Sequence, residues 1–157
     1  MKKEWITAFG RMTYGIYVLT TALDHIINGM IASWVTQVSY DPPLILVAIH
    51  PNRYSHGLIE TGHAFGLHVL DRSQKDMLSR FKGPNPEKKF HGVDWEPGRT
   101  GVPIIKNCLA WFELNVKKRH DPGNHTLFIG EVIDGGFRSA GTPLCTMDYD
   151  GMYVGKA

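Results

Sequence analysis

The residues best suited to chemistry in this 157-residue chain cluster in one segment. Asn28-Gly29-Met30-Ile31-Ala32-Ser33-Trp34-Val35-Thr36-Gln37-Val38-Ser39 interleaves small, polar and aromatic side chains in an extended pattern, and His50-Pro51-Asn52-Arg53-Tyr54-Ser55 follows a short apolar run. Small side chains at Ala32 and Ser33 let a planar ring lie against the backbone, whose N–H and C=O groups can meet its polar edge. Asn52, Arg53 and Ser55 place donors where a helix begins. Its unpaired N–H groups and positive dipole end converge there on any anion. His50 and His56 flank the turn and read as helix-start or exposed residues, or as further contacts to that anion. Residue types alone leave two readings open: a site for a flat phosphorylated ligand, or an ordinary strand, turn and helix cap.

Other chemistries lack their residues. Among eight histidines there is no H-E-x-x-H and no i, i+4 pair backed by a carboxylate, so no metal is expected. A hydrolase elbow, G-x-S-x-G, is missing, as are G-x-G-x-x-G and the phosphate loop G-x-x-x-x-G-K-[ST]. Cys108 and Cys145 have no CxxC partner and read as buried, reduced thiols. A net charge of +2, with acids and bases mixed along the chain, gives no field for a polyanion, so no nucleic acid is expected. The run Lys117-Lys118-Arg119 reads as a solvated strand end.

The elements that must hold the segment follow from hydrophobic spacing. Trp5, Ala8, Phe9 and Met12 predict a short amphipathic helix closed by Gly15, then a hairpin of Ile16–Ala22 and Ile26–Ser39. After Pro42 and Pro43, Leu44–Ile49 is unbroken apolar sequence, which predicts a strand buried on both faces. A helix over Arg53–Glu60, a strand over Ala64–Leu70 and a helix over Ser73–Phe81, capped by Ser73, come next. Lys82–Pro103 is rich in Gly, Pro and charge and reads as a surface excursion. Ala110–Arg119 and Thr126–Ile133 are partner strands, with short ones at Leu144–Thr146 and Met152–Val154. The sum is one domain over 1–157, α+β and mostly β, built as a closed or nearly closed antiparallel barrel with short inserted helices. No stretch reaches the ~20 apolar residues of a membrane span, and Met1–Arg11 does not read as a signal peptide. The expectation is a cytoplasmic protein with no membrane contact.

Residue order adds a resemblance. Asn-Gly-Met-x-Ala-Ser from Asn28, Val-Ser-x-Asp-Pro-Pro-Leu from Val38 and the Pro-x-Arg-x-Ser of Pro51–Ser55 resemble the flavin reductase-like, FMN-binding split β-barrel family. Ala64–Leu70, Phe81-Lys82-Gly83, Gly123–Val132, Pro143-Leu144 and Tyr153 match further motifs in order. The resemblance implies that Ala32, Ser33, Trp34, Val35 and Thr36 line the flavin ring. It implies that Asn52, Arg53 and Ser55 hold the phosphate with Lys82 in reach, and that His125 faces the flavin or nicotinamide. It further implies a homodimer taking hydride from NADH or NADPH and passing electrons to free flavin or to a redox partner, a monooxygenase or rubredoxin-like protein. An FMN-bound electron carrier of the flavoredoxin type and a non-catalytic flavin-binding module are the alternatives. Asn124 replaces the usual Asp before His125, which makes His125 more structural than catalytic. Ile31 replaces a frequent Thr.

Overall fold

Two hairpins carry the segment singled out above. In the computed structural model, which describes residues 1–148, a short helix α1 (Lys3–Phe9) precedes β1 (Tyr17–Leu23) and β2 (Ile26–Ala32). Asp24 turns that hairpin with a positive φ of 52°, a conformation Asp tolerates better than most residues. β3 (Val35–Ser39) and β4 (Leu44–Ile49) form the second hairpin across Pro42 and Pro43. Next come α2 (Tyr54–Gly62), β5 (Ala64–Val69), α3 (Asp76–Lys82) and α4 (Pro86–Lys89). The chain continues through β6 (Trp95–Pro97), β7 (Pro103–Ile105), β8 (Ala110–His120) and β9 (Thr126–Phe137).

The expected single strand Ile26–Ser39 is broken at Ser33 and Trp34. Trp34 O accepts from Ala48 N–H at 3.0 Å, which pulls the chain across to β4. β2 and β3 thereby become opposite edges of one seven-stranded antiparallel sheet, ordered β2-β1-β5-β8-β9-β4-β3. Because only two residues join these edges, the sheet must curl until they meet at that corner, although no ladder closes it. The fold is α+β and mostly β.

Alternation sends neighbouring side chains to two cores. Leu19, Val47, Phe65, Leu114 and Phe128 fill the inside of the curl with Ile59 of α2. Val18, Leu70, Leu78, Phe81 and Phe90 pack α3 and α4 against the outside. Each such side chain contributes about 1.5–3 kcal/mol by leaving water. β4 alternates buried and half-buried residues instead of being buried on both faces, since Ala48 borders the cavity described below.

The surface excursion is more ordered than its composition implied, holding α4 and the β6–β7 hairpin. Two buried polar side chains fasten it. His68 Nε2 accepts from Ile105 N–H at 3.0 Å, so its Nδ1 carries the proton and donates to Val18 O at 3.1 Å. Complete burial holds its pKa down at about 4. Glu113 accepts from Arg99 N–H, Thr100 N–H and Thr100 Oγ1 at 2.9, 2.5 and 2.7 Å.

Three other expectations are corrected. Helix α3 starts at Asp76, because Ser73 spends its N–H and hydroxyl on Asp71 Oδ1 in the preceding turn, leaving Lys75 at the cap position. Leu144–Thr146 forms no ladder. Isolated bridges Gly15–Cys145 and Asp71–Pro143 lead into a 3₁₀ turn at Thr146–Asp148. Cys145 is only half-buried, though both cysteines are free. The expected strand Met152–Val154 and the Tyr153 match lie outside the described residues. Lys117 pairs with Glu131, and Arg119 with Glu60 and Asp121, as a solvated strand end should. Among the described residues no helix is long and apolar enough to cross a membrane.

Candidate functional site

The broken strand opens onto a cavity of about 730 Å³ between β2, the Ser33–Trp34 corner, the end of β4, the start of α2, and helices α3 and α4. Its lining includes the apolar Met30, Ile31, Ala32, Trp34, Ala48, Ile49, Leu78 and Phe81. It also includes Arg53, Lys82 and Lys89 with Asn28, His50, Asn52 and Ser55, and among the described residues no Asp or Glu lines it. Gly29 makes this geometry possible. A Cβ there would lie 2.5 Å from the Phe81 ring, so only glycine lets α3 close so tightly on β2.

Local bonding turns the chain into α2. His50 Nδ1 accepts from Asn52 N–H at 3.2 Å, and His50 O accepts from Arg53 N–H at 3.0 Å. Arg53 holds the N-cap position without a side-chain cap, so the first-turn N–H groups are not covered by its side chain. Buried Ser55 accepts from Asn28 Nδ2 at 2.9 Å, and Asn28 Oδ1 accepts from Lys89 Nζ at 3.0 Å. Lys89 also donates to Gly29 O at 2.9 Å.

Ala32, Ser33, Trp34, His50, Asn52, Arg53, Ser55 and Lys82 thus meet in one wall. Val35 and Thr36 do not: Val35 packs on the inner core and Thr36 is exposed on β3. His56 also stands away from the cavity. Its Nε2 lies 2.8 Å from Thr126 Oγ1, whose hydroxyl donates to Asp121 Oδ1 at 2.6 Å, so His56 ties α2 to β9.

His125 is not in the wall but directly behind it, its ring 4.6 Å from Trp34 and 5.1 Å from His50. Asn124 Oδ1 lies 2.8 Å from Nδ1, so the amide oxygen accepts the proton that a carboxylate would otherwise orient. Nε2 is consequently an unprotonated acceptor, and it is buried with no hydrogen-bond partner among the described residues. Desolvation, then His50 and Arg53, lower the pKa of the ring, which keeps it neutral near pH 7. Replacing Asp by Asn therefore preserves the ring's orientation.

Sequence reading missed Lys89 and Phe81 as site residues. Lys89 follows Glu87 and Lys88 in a run that looks solvated, and only its approach to β2 reveals the role. Among the described residues, no group of His, Cys, Asp and Glu could hold a metal ion. What the cavity fits is an anion with a flat apolar body. Its wall combines apolar side chains with three cationic ones, Arg53, Lys82 and Lys89.

Comparison with known proteins agrees. The chain is 32% identical over 155 residues to the ferric-chelate reductase (NAD(P)H) of Archaeoglobus fulgidus, covering 96% of this chain and 92% of that one. It is 34% identical to HsaB, the reductase subunit of a flavin-dependent monooxygenase of Mycobacterium tuberculosis, covering 95% and 79%. The NADH:FAD oxidoreductase of Streptomyces globisporus, solved with NAD and FAD fragments, superposes with a TM-score of 0.81 at 29% identity over 88% of this chain and 83% of that one. The flavin reductase like domain model matches residues 9–156, and the chain therefore belongs to that family.

Proposed function

We propose that this cavity binds FMN and that the chain, a single domain, is an NAD(P)H-dependent flavin reductase. The carrying observation is a cavity wall that brings apolar side chains together with three cationic ones, Arg53, Lys82 and Lys89. The ring would lie against Met30, Ala32, Ser33 and Trp34, and the phosphate beside Arg53, Ser55 and Lys82 at the start of α2. A bound flavin supplies two-electron chemistry, accepting hydride from a nicotinamide and handing electrons onward. The chain contributes placement and charge. His125 packs behind Trp34 and His50 and supports the wall from behind.

The curled sheet whose edges meet at Ser33–Trp34 supports a split barrel. Helix α1 buries none of its residues and exposes Trp5 and Phe9, with Met12 exposed just beyond it, which supports a homodimer. Likeness to a monooxygenase reductase subunit supports delivery of reduced flavin to a partner protein. Free thiols at Cys108 and Cys145, with a nicotinamide donor, support a cytoplasmic setting.

The test begins with colour. The purified protein should take up one FMN per chain and bleach anaerobically with NADH or NADPH. Bleaching only by another reduced protein would instead mark an electron carrier, and failure to take up any flavin would overturn the redox reading. Arg53→Ala combined with Ser55→Ala should weaken FMN binding by about 100-fold, two hydrogen bonds to a charged group being lost.

A further inference from the structure

Lys89 is a buried ammonium without a counter-ion among the described residues. It is 7% exposed, and among the described residues no carboxylate oxygen lies within ion-pair distance of it. Its two hydrogen bonds end on neutral oxygens, Asn28 Oδ1 and Gly29 O. Desolvation lowers its pKa, as burial of an ammonium does. A lysine that only filled space there would be costly to keep.

Its bonds also fix proton directions two residues away. Lysine can only donate, so the Asn28 amide must turn its oxygen to Lys89 and its NH₂ to Ser55. Ser55 Oγ receives that N–H at 2.9 Å, and its own O–H is left pointing elsewhere. No acceptor for that hydroxyl is found among the described residues, although Ser55 is 1% exposed and borders the cavity. Residues from α4, β2 and α2 thus form a one-way relay ending in an unspent donor.

We propose that Lys89 is a positioning residue for the phosphate of the bound flavin: through Asn28 it sets Ser55 as a donor, and its charge makes the cavity select phosphorylated over unphosphorylated flavin. This rests on the FMN reading above. The phosphate supplies the anion that the relay lacks, and Ser55 donates to it without reorganising. Riboflavin, which has the same ring and no phosphate, gains nothing from Lys89.

The test measures FMN and riboflavin binding to the apo protein by flavin fluorescence, together with the Tm of each apo protein. Wild type should prefer FMN. Lys89→Met should weaken FMN about 30-fold, as expected for a lost charge-assisted contact, and leave riboflavin within about threefold. Asn28→Asp covers the case in which Lys89→Met does not fold. It gives Lys89 a carboxylate and makes Ser55 donate to that carboxylate, so apo Tm should rise while FMN affinity falls. A merely structural lysine would let affinity follow stability.

Two results overturn the proposal alone: both flavins weakening in proportion in the folded variants, or Asn28→Asp binding FMN as wild type does. Wild type binding neither flavin would overturn the cofactor reading itself. Wild type binding riboflavin as tightly as FMN would overturn phosphate selection while leaving a flavin site.

Discussion

Acid should unfasten the β6–β7 hairpin through His68. In the folded chain this ring is fully buried, donating to Val18 O and accepting from Ile105 N–H, and it takes up a proton only near pH 4 against 6.5 in the open chain. Between those values the unfolded state binds more protons, so stability is complete above about pH 6.5 and falls as the pH drops toward 4. At 1.36 kcal/mol per pH unit, the gap corresponds to about 3 kcal/mol, of which about 2 kcal/mol is gone by pH 5. Urea unfolding from pH 7.5 to 4.5 reads this directly. His68→Gln keeps a donor for Val18 O and an acceptor for Ile105 N–H but cannot be protonated. Its stability profile should be flatter than wild type by about 1.4 kcal/mol per pH unit between pH 4.5 and 6. His56 and His125, also lowered chiefly by burial, titrate in both proteins and cancel in the difference. Parallel profiles for the two proteins would refute the argument.

Other expectations can be checked more simply. Gly29→Ala places a methyl group within 2.6 Å of the Phe81 ring; calorimetry should show a loss of about 1–3 kcal/mol, with FMN affinity reduced because α3 must back away from the cavity. Glu113→Ala strands the Arg99 and Thr100 amides and should cost about 2–4 kcal/mol, and hydrogen exchange at those two amides should accelerate first. Trp5→Glu with Phe9→Glu should convert a dimer to a monomer in light scattering while leaving the circular dichroism spectrum unchanged; an unaltered mass would exclude α1 from the interface.

Strand bounds set by apolar runs or by alternation were legible in the sequence, although the burial of β4 on both faces was not borne out. Leu44–Ile49 matches β4 residue for residue, and Ala64–Leu70 and Ala110–Arg119 differ from β5 and β8 by one residue each. What the sequence hid depends on contacts distant along the chain. Ile26–Ser39 reads as one strand because its residue types are uniformly extended, and only the Trp34–Ala48 bond splits it. His68 sits between Leu67 and Val69 at an outward-facing position. It is buried because β6 and β7, which looked like loop, cover it. Ser33, Arg53 and Ser55, which line the cavity, were legible because small and polar residue types sit where a strand ends or a helix begins. Lys89 was not, because a buried lysine and a solvated one have the same sequence signature.

Sheet order also bears on how the chain is made. The β1–β2, β3–β4 and β8–β9 hairpins are local, but β4 pairs with β9, Leu44 opposite Glu131. During synthesis β4 must wait for about 80 further residues, roughly 4–16 s at 5–20 residues per second. Almost every residue of the cavity wall has left the ribosome well before the strand that secures β4. Until then the apolar edge of β4 is available to other nascent chains, and the growing polypeptide holds nearly all the parts of a cofactor site without the ability to close on one. Cofactor capture becomes a late event in the life of the chain, and a chaperone that shields β4 during that interval would raise the yield of loaded protein without touching the site.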